Sequence, residues 1–188
     1  RNNMTHVVHP FAHRLGTLRT WKSRWFADKN YAVNLKADVL IREFLTKKLR
    51  SSYVSSIEIE RTQKEFKIMI HTSRPGMIIG RGGDGIDKLK KDMVKEAKAK
   101  KIHLPLDFKL DIVEVQEPEA DANIVAQMVM EGIEKRLPFR RVMKTTVEKA
   151  MASPSVKGVR IGLSGRLGGA EMARREEVKR GNIPLQTI

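Results

Sequence analysis

The sequence predicts an α+β protein built as two domains behind a basic arm. Three observations carry that expectation. Apolar residues alternate with polar ones in four short segments, the period of half-buried strands. Between those segments run four stretches with apolar residues at helical spacing. Glu117-Pro118 divides the pattern, since proline suits the first turn of a helix and the residue before it avoids helical geometry. The expected boundaries are an arm over 1–33, a first domain over 34–116 and a second over 117–188.

The first 27 residues hold no acid, while Arg1, Arg14, Arg19, Lys22 and Arg24 are basic. Trp21, Trp25 and Phe26 stand among them, placed to stack on RNA bases or to anchor the arm on the domain behind it. From Asn34 to Arg50, Ala37, Leu40, Ile41, Phe44, Leu45 and Leu49 predict a helix, which Ser51-Ser52 ends. Ile57 and Ile59 alternate with Glu58 and Glu60. Phe66, Ile68 and Ile70 alternate with Lys67, Met69 and His71, so the two runs predict an antiparallel hairpin. Pro75-Gly76 opens a segment that runs into Ile78-Ile79-Gly80-Arg81-Gly82-Gly83-Asp84-Gly85. Ile86, Leu89, Met93 and Ala97 then form the stripe of a lysine-rich helix, and Phe108, Leu110 and Ile112 mark a third strand.

In the second domain, Val125, Met128, Val129 and Ile133 predict a helix ending near Leu137. Pro138 opens another, with Phe139, Val142, Met143, Val147 and Ala150 inward, and Ser153-Pro154 stops it. Val159, Ile161 and Leu163 alternate as a strand leading into Gly165-Arg166-Leu167-Gly168-Gly169. Periodicity alone favours a helix from Glu171 to Arg180.

Composition narrows the function. The 188 residues carry a formal net charge of +15, which self-repels unless a polyanion neutralises it, and nucleic acid is the first candidate. No apolar run approaches the roughly 20 residues that span a bilayer, so no membrane partner is expected, and the polar N-terminal stretch does not read as a signal peptide. The absence of cysteine excludes disulfides, zinc knuckles and thiol nucleophiles. His6, His9 and His13 lack nearby acids and straddle Pro10, so no metal site and no cofactor is expected. Glu58 and Glu60 share one exposed strand face with no nucleophile, and Met128, Met130, Met143 and Met151 read as core filling.

The glycine cluster has two readings. As G-x-G-x-x-G from Gly80 it resembles a dinucleotide fingerprint and suggests a nicotinamide oxidoreductase. That reading needs a buried parallel strand running straight into Gly80 and an acid ending the return strand. Pro75-Gly76 intervenes, and Asp107 precedes the third strand instead of ending it. As Ile-Gly-x-x-Gly it is the backbone-clamping loop of a KH domain, and the order helix, strand, strand, short helix, loop, long helix, strand agrees. Gly80, Arg81, Gly82, Gly83 and Lys88 are then the loop's RNA-binding candidates, with Arg74, Lys90 and Lys91 flanking.

Several longer motifs make the reading specific. "VHPFAHRLG" at Val8 to Gly16, "WKSRWFA" at Trp21 to Ala27 and "HTSRPGMIIGRGG" at His71 to Gly83 resemble the bacterial form of small-subunit ribosomal protein three. So do "FRRVMKTTVEKAM" at Phe139 to Met151 and "SGRLGGAEMAR" at Ser164 to Arg174. The resemblance implies a type-two KH domain followed by a second α+β domain, two helices on a mostly antiparallel sheet. It implies a structural, non-enzymatic constituent of the small ribosomal subunit head, cytoplasmic in a bacterium or in an organellar matrix. Its partners would be 16S-type ribosomal RNA, messenger RNA, head proteins ten and fourteen, and proteins four and five near the messenger entry channel. Arg140, Arg141 and Lys144 would face messenger RNA, and Arg14, Arg19, Lys22, Arg24 and Arg166 ribosomal RNA. The residues agree, since Arg140 and Lys144 share a helix face opposite Val142, Met143 and Val147. The resemblance also favours extended structure over Glu171 to Arg180, with further strands past "GNIPLQTI" and tails beyond Arg1 and Ile188. The runner-up is a free-standing KH regulator of many transcripts.

Overall fold

The alternating isoleucines become the centre of a four-stranded sheet in the computed structural model, which describes residues 9–62, 65–102 and 108–183. β1 (Ser23–Arg24) lies parallel to β2 (Val54–Arg61), and β2 pairs antiparallel with β3 (Phe66–Thr72). β4 (Phe108–Glu114) runs parallel to β3 at the other edge. Opposed residues share a face, so Ile57 across from Ile70, Ile59 from Ile68, and Leu110 beside Ile68 form one apolar surface. Two helices cover it. α2 (Tyr31–Lys48) contributes Ile41 and Leu45, and α4 (Asp84–Ala99) contributes Leu89 and Met93. The other face carries Glu58, Glu60, Lys67 and Asp111, matched by cross-strand charge, as with Lys67 and Asp111 at 2.9 Å.

The parallel β3–β4 pairing requires a crossover. Its path is α3 (Pro75–Ile79), a glycine turn and α4, with Pro75 in α3's first turn, where a missing amide proton costs nothing.

The second unit repeats the logic with fewer strands. α5 (Ala122–Glu134) is capped by Asp121, whose Oδ1 accepts from the amides of Asn123 at 2.7 Å and Ile124 at 3.2 Å. α6 (Phe139–Ala152) lies beside α5. A methyl group on Gly132 would stand 2.9 Å from Val142 Cγ1, so the bare glycine permits the approach. Both helices pack on an antiparallel hairpin of β5 (Gly158–Gly165) and β6 (Arg174–Gly181). Val125, Val129, Val142, Met143, Val147 and Ile161 form that core.

The segment that periodicity alone reads as a helix is therefore β6, extended as the resemblance implies. Val178 is its one residue packed on the apolar core, so a helix there would have no stripe to bury, whereas a strand joins a ladder. Residues 184–188 of "GNIPLQTI" lie outside the described residues, as do Arg1, His6, Val8 and Asp107.

The two units are joined along the start of β2, where the register slips between Val54 and Ser56. The slip frees backbone acceptors, and α5 side chains use them. Gln127 Nε2 donates to the Val54 carbonyl and Asn123 Nδ2 to that of Ser55, each at 2.8 Å. The Tyr53 hydroxyl bonds Glu131, and Arg50 pairs with Glu134.

Candidate nucleic-acid interface

The glycine turn is built by backbone geometry that side chains resist. Gly80, Gly82 and Gly83 have φ of 70°, 64° and 91°. At Gly85 the demand is space, since a Cβ would lie 2.3 Å from the Ile78 carbonyl oxygen and 2.8 Å from that of Ile79. α3 and α4 thus meet backbone to backbone, and the turn between them is thrown outward. Arg81 is exposed at its tip and Lys88 follows on the exposed side of α4; among the described residues neither has an ion-pair partner. Arg74 is already engaged, its guanidinium 4.1 Å above the Tyr53 ring. Asp84 and Asp87 occupy α4's first turn and answer part of the positive helix end, which leaves Arg81 as the exposed cation of the turn itself.

The arm is more integrated than its composition suggests. Asp38, fully buried on α2, accepts from Arg61 Nε and Nη2 at 3.1 and 2.6 Å. It also accepts from Trp25 Nε1 at 2.7 Å and from Ser23 Oγ at 3.0 Å. Arg42 closes the cluster by donating to the Lys22 carbonyl and to Ser23 Oγ, at 2.9 and 2.6 Å. Burial pushes the Arg42 guanidinium down from its ordinary value, while the Asp38 charge pulls it back up. A charged residue one position after Ala37 and on the stripe with Ile41 and Leu45 was the sequence signal for this anchor, and sequence reasoning missed it.

That anchor divides the candidate arm residues. Arg24 pairs with Glu58 at 2.8 Å and Glu60 at 2.9 Å, so its charge is met by the sheet. Lys22 lies 4.7 Å from the Phe11 ring centroid, and Arg14 Nη1 donates to the Pro10 carbonyl at 3.2 Å. Arg19 is exposed. Of the aromatics, Trp25 is the anchor, whereas Trp21 and Phe26 are 65% and 87% exposed, free to meet a partner. His9 caps the short helix α1 (Pro10–His13) by accepting from the Phe11 amide at 3.1 Å. Among the described residues no His, Asp and Glu cluster could hold a metal, and no helix is long and apolar enough to cross a membrane.

On α6, Val142, Met143 and Val147 are buried, while Arg140, Arg141 and Lys144 project outward. Arg140 differs from its neighbours. Its Nε and Nη2 donate to the two carboxylate oxygens of Glu176 on β6, at 3.1 and 3.0 Å. That hydrogen bond holds the Glu176 carboxyl below its usual range and raises Arg140. Arg174 also reaches Glu176 at 3.3 Å, and both guanidiniums lie near the Phe139 ring. Arg166 is exposed in the turn between β5 and β6, its Nε on the Ala170 carbonyl at 2.9 Å. Gly168 of that turn faces the Phe139 ring, so the turn lies against the start of α6. Glu176 and Arg174 are members that sequence reasoning did not name; nothing in the local pattern ties them to a helix 36 residues away.

A helix on an antiparallel hairpin, a short helix, a positive-φ glycine turn and a crossover to a parallel strand define a KH-type nucleic-acid-binding protein with a second α+β unit appended. The family model described as KH domain matches residues 40–120, and that described as Ribosomal protein S3, C-terminal domain matches 129–188. The small ribosomal subunit protein uS3 of Clostridium novyi (strain NT) is 47% identical over 186 residues, 98% of this chain and 81% of its own length. Those of Myxococcus xanthus (strain DK1622) and Exiguobacterium sibiricum are 45% and 41% identical over 185 residues, 98% of this chain and 80% and 82% of theirs. The chain belongs to the small ribosomal subunit protein uS3 family, in its bacterial form.

Proposed function

We propose that this chain is a structural constituent of the small ribosomal subunit head that binds small-subunit ribosomal RNA and guides messenger RNA into the subunit. The structural role follows from membership of a ribosomal protein family along nearly the whole chain, which gives no support to a free-standing regulator or to an oxidoreductase. The role is non-enzymatic and is set in the ribosome of a bacterial cytoplasm. Ribosomal RNA binding falls to Arg81 and Lys88 at the glycine turn, to Arg14, Arg19 and Lys22 on the arm, and to Arg166, with Arg24 adding only what its pairs with Glu58 and Glu60 leave free. Head proteins ten and fourteen are the neighbours, with proteins four and five beside the channel.

The observation that carries the messenger role is the face of α6. Arg141 and Lys144 are exposed cations without ion-pair partners among the described residues, and Arg140 stands beside them in a reversible surface pair. Such a row attracts phosphates without reading bases, as a channel for any transcript requires.

The test replaces Arg140, Arg141 and Lys144 by alanine and measures messenger retention on purified subunits over a salt series. Assembly is expected to survive, while retention weakens and its log–log salt slope drops by about 2, at roughly 0.7 per lost single-strand phosphate contact. Failure of subunits to assemble would instead make the row structural. The wild-type chain should cosediment with the small subunit on a sucrose gradient and crosslink mainly to its ribosomal RNA.

A further inference from the structure

The outward face of the β5–β6 hairpin presents a cation array that none of the assignments above uses. Strand alternation sends Val159, Ile161 and Val178 towards the helices and leaves Arg160, Gly162, Ser164, Arg175, Glu177 and Lys179 on the opposite side. In register, Arg160 stands across from Lys179, Gly162 from Glu177 and Ser164 from Arg175. Among the described residues both α5 and α6 pack on the inner face, and the outer one carries no apolar side chain.

Glu177 organises this face. Its carboxylate meets Arg160 at 2.8 Å, Arg175 at 2.5 Å and Lys179 at 3.7 Å. The Glu177 stem lies over Gly162 across the strands, where a Cβ would stand in ordinary van der Waals contact at 3.4 Å. One acid, 23% exposed, thus sits beneath three cations that are 36% to 64% exposed. The three positive charges exceed the single negative one, and the cations that remain in water are held apart in a fixed pattern. Charge-assisted contacts to phosphate cost less ordering when the donors are already positioned.

We infer that this face is a second surface for an RNA sugar-phosphate backbone, lying on the far side of the hairpin from the α6 row, with Glu177 as the positioning residue for its three cations. The inference rests on the reading of the chain as a ribosomal RNA-binding constituent. RNA is the occupant because the face offers cations and no apolar anchor, whereas a protein interface core is built around buried aromatic and aliphatic anchors. The two adjacent acids act differently: Glu176 occupies two donors of one guanidinium, Arg140, on one side of β6, whereas Glu177 is shared among three cations on the other.

The test uses the full chain and small-subunit ribosomal RNA transcribed in vitro, with affinity measured over a salt series. Replacing Arg160, Arg175 and Lys179 together by alanine should weaken binding at least tenfold and flatten the log–log salt slope by about 2 to 3. Lys179→Ala alone, which leaves both arginine pairs intact, should flatten it by about 0.7 to 0.9. Glu177→Gln separates positioning from bulk charge: binding of the ribosomal RNA should fall severalfold while binding of heparin rises. An unchanged slope in both alanine variants would overturn the surface. Tighter binding of both polyanions by Glu177→Gln would overturn the positioning role. If the alanine variants keep the wild-type slope but drop out of assembled subunits, the face binds protein and the inference is wrong. A wild-type chain with no saturable binding would remove the ribosomal reading as well, which distinguishes the two failures.

Discussion

The guanidinium of Arg140 and the carboxylate of Glu176 meet side on, two donors to two oxygens at 3.1 and 3.0 Å, across 36 residues of chain. The contact pins α6 to β6 and withholds part of Arg140 from any phosphate. Glu176→Gln should therefore raise affinity for single-stranded RNA severalfold, by freeing Arg140 and adding one net positive charge. Arg140→Ala in the Glu176→Gln background should abolish the gain. A filter-binding series with the single and double variants measures this, and a gain that survives in the double variant would mean that Arg140 is not the group released.

The same pair sets a dependence on pH. The folded-state pKa of Glu176 lies below its unfolded one, so its contribution to stability is present above the ordinary carboxylate range and is lost as pH falls through the depressed value. Glu177, depressed chiefly by its hydrogen bond to Arg160, adds a contribution of the same sign. Both carboxylates keep contact with solvent, which screens their pairs, and the effect is small. The difference in Tm between wild type and Glu176→Gln should be greatest near neutral pH and close to zero in strong acid. A difference that grows as pH falls would reverse the sign and refute the pairing.

Gly85→Ala tests how the glycine turn is held out. The added methyl would meet two backbone carbonyls, Ile78 at 2.3 Å and Ile79 at 2.8 Å, neither of which can swing aside as a side chain would. α3 and α4 must part, at a cost of about 1–3 kcal/mol for overpacking. Thermal unfolding should show Tm lower by several degrees, at about 2–4 °C per kcal/mol for a chain this long. Arg81→Ala, at the exposed tip, should leave Tm unchanged and weaken RNA binding alone.

Much of the architecture was legible because local pattern and tertiary demand agree. The stripe of Leu89, Met93 and Ala97 is buried in α4, and Ile57, Ile59, Ile68 and Ile70 fall on one sheet face as their alternation predicts. β1 was not legible, since two residues, Ser23 and Arg24, cannot display a period and owe their strand to the edge of β2. β6 misled periodicity because its charges pair across strands and faces, through Glu176 and Glu177, instead of along a helix. At the candidate site, the outward position of Arg141 and Lys144 could be read from spacing. The partners of Arg140 and Arg24 could not, because each lies more than 30 residues away in sequence.

The arm's aromatics give the last prediction, because the structure assigns them opposite environments. Trp25 donates to the buried carboxylate of Asp38 and packs 5.2 Å from the Tyr31 ring centroid, whereas Trp21 and Phe26 stand in solvent. Asp38→Ala would leave Arg61, only 12% exposed, without its counter-charge and would cost about 3–5 kcal/mol, the penalty for breaking a buried pair from one side. Limited proteolysis should then cut the arm near Lys22 or Arg24, sites that the parallel β1–β2 pairing protects in the wild type. Trp25→Phe should cause a milder version of the same loss, since an aromatic ring remains while the Nε1 donor and part of the indole's bulk are removed. Trp21→Ala with Phe26→Ala should leave Tm and protease resistance unchanged. If these two rings stack on bases, that double variant should weaken RNA binding by about 1–3 kcal/mol per lost stack. A fall in Tm for the exposed pair, with RNA affinity intact, would instead make them part of the arm's own packing.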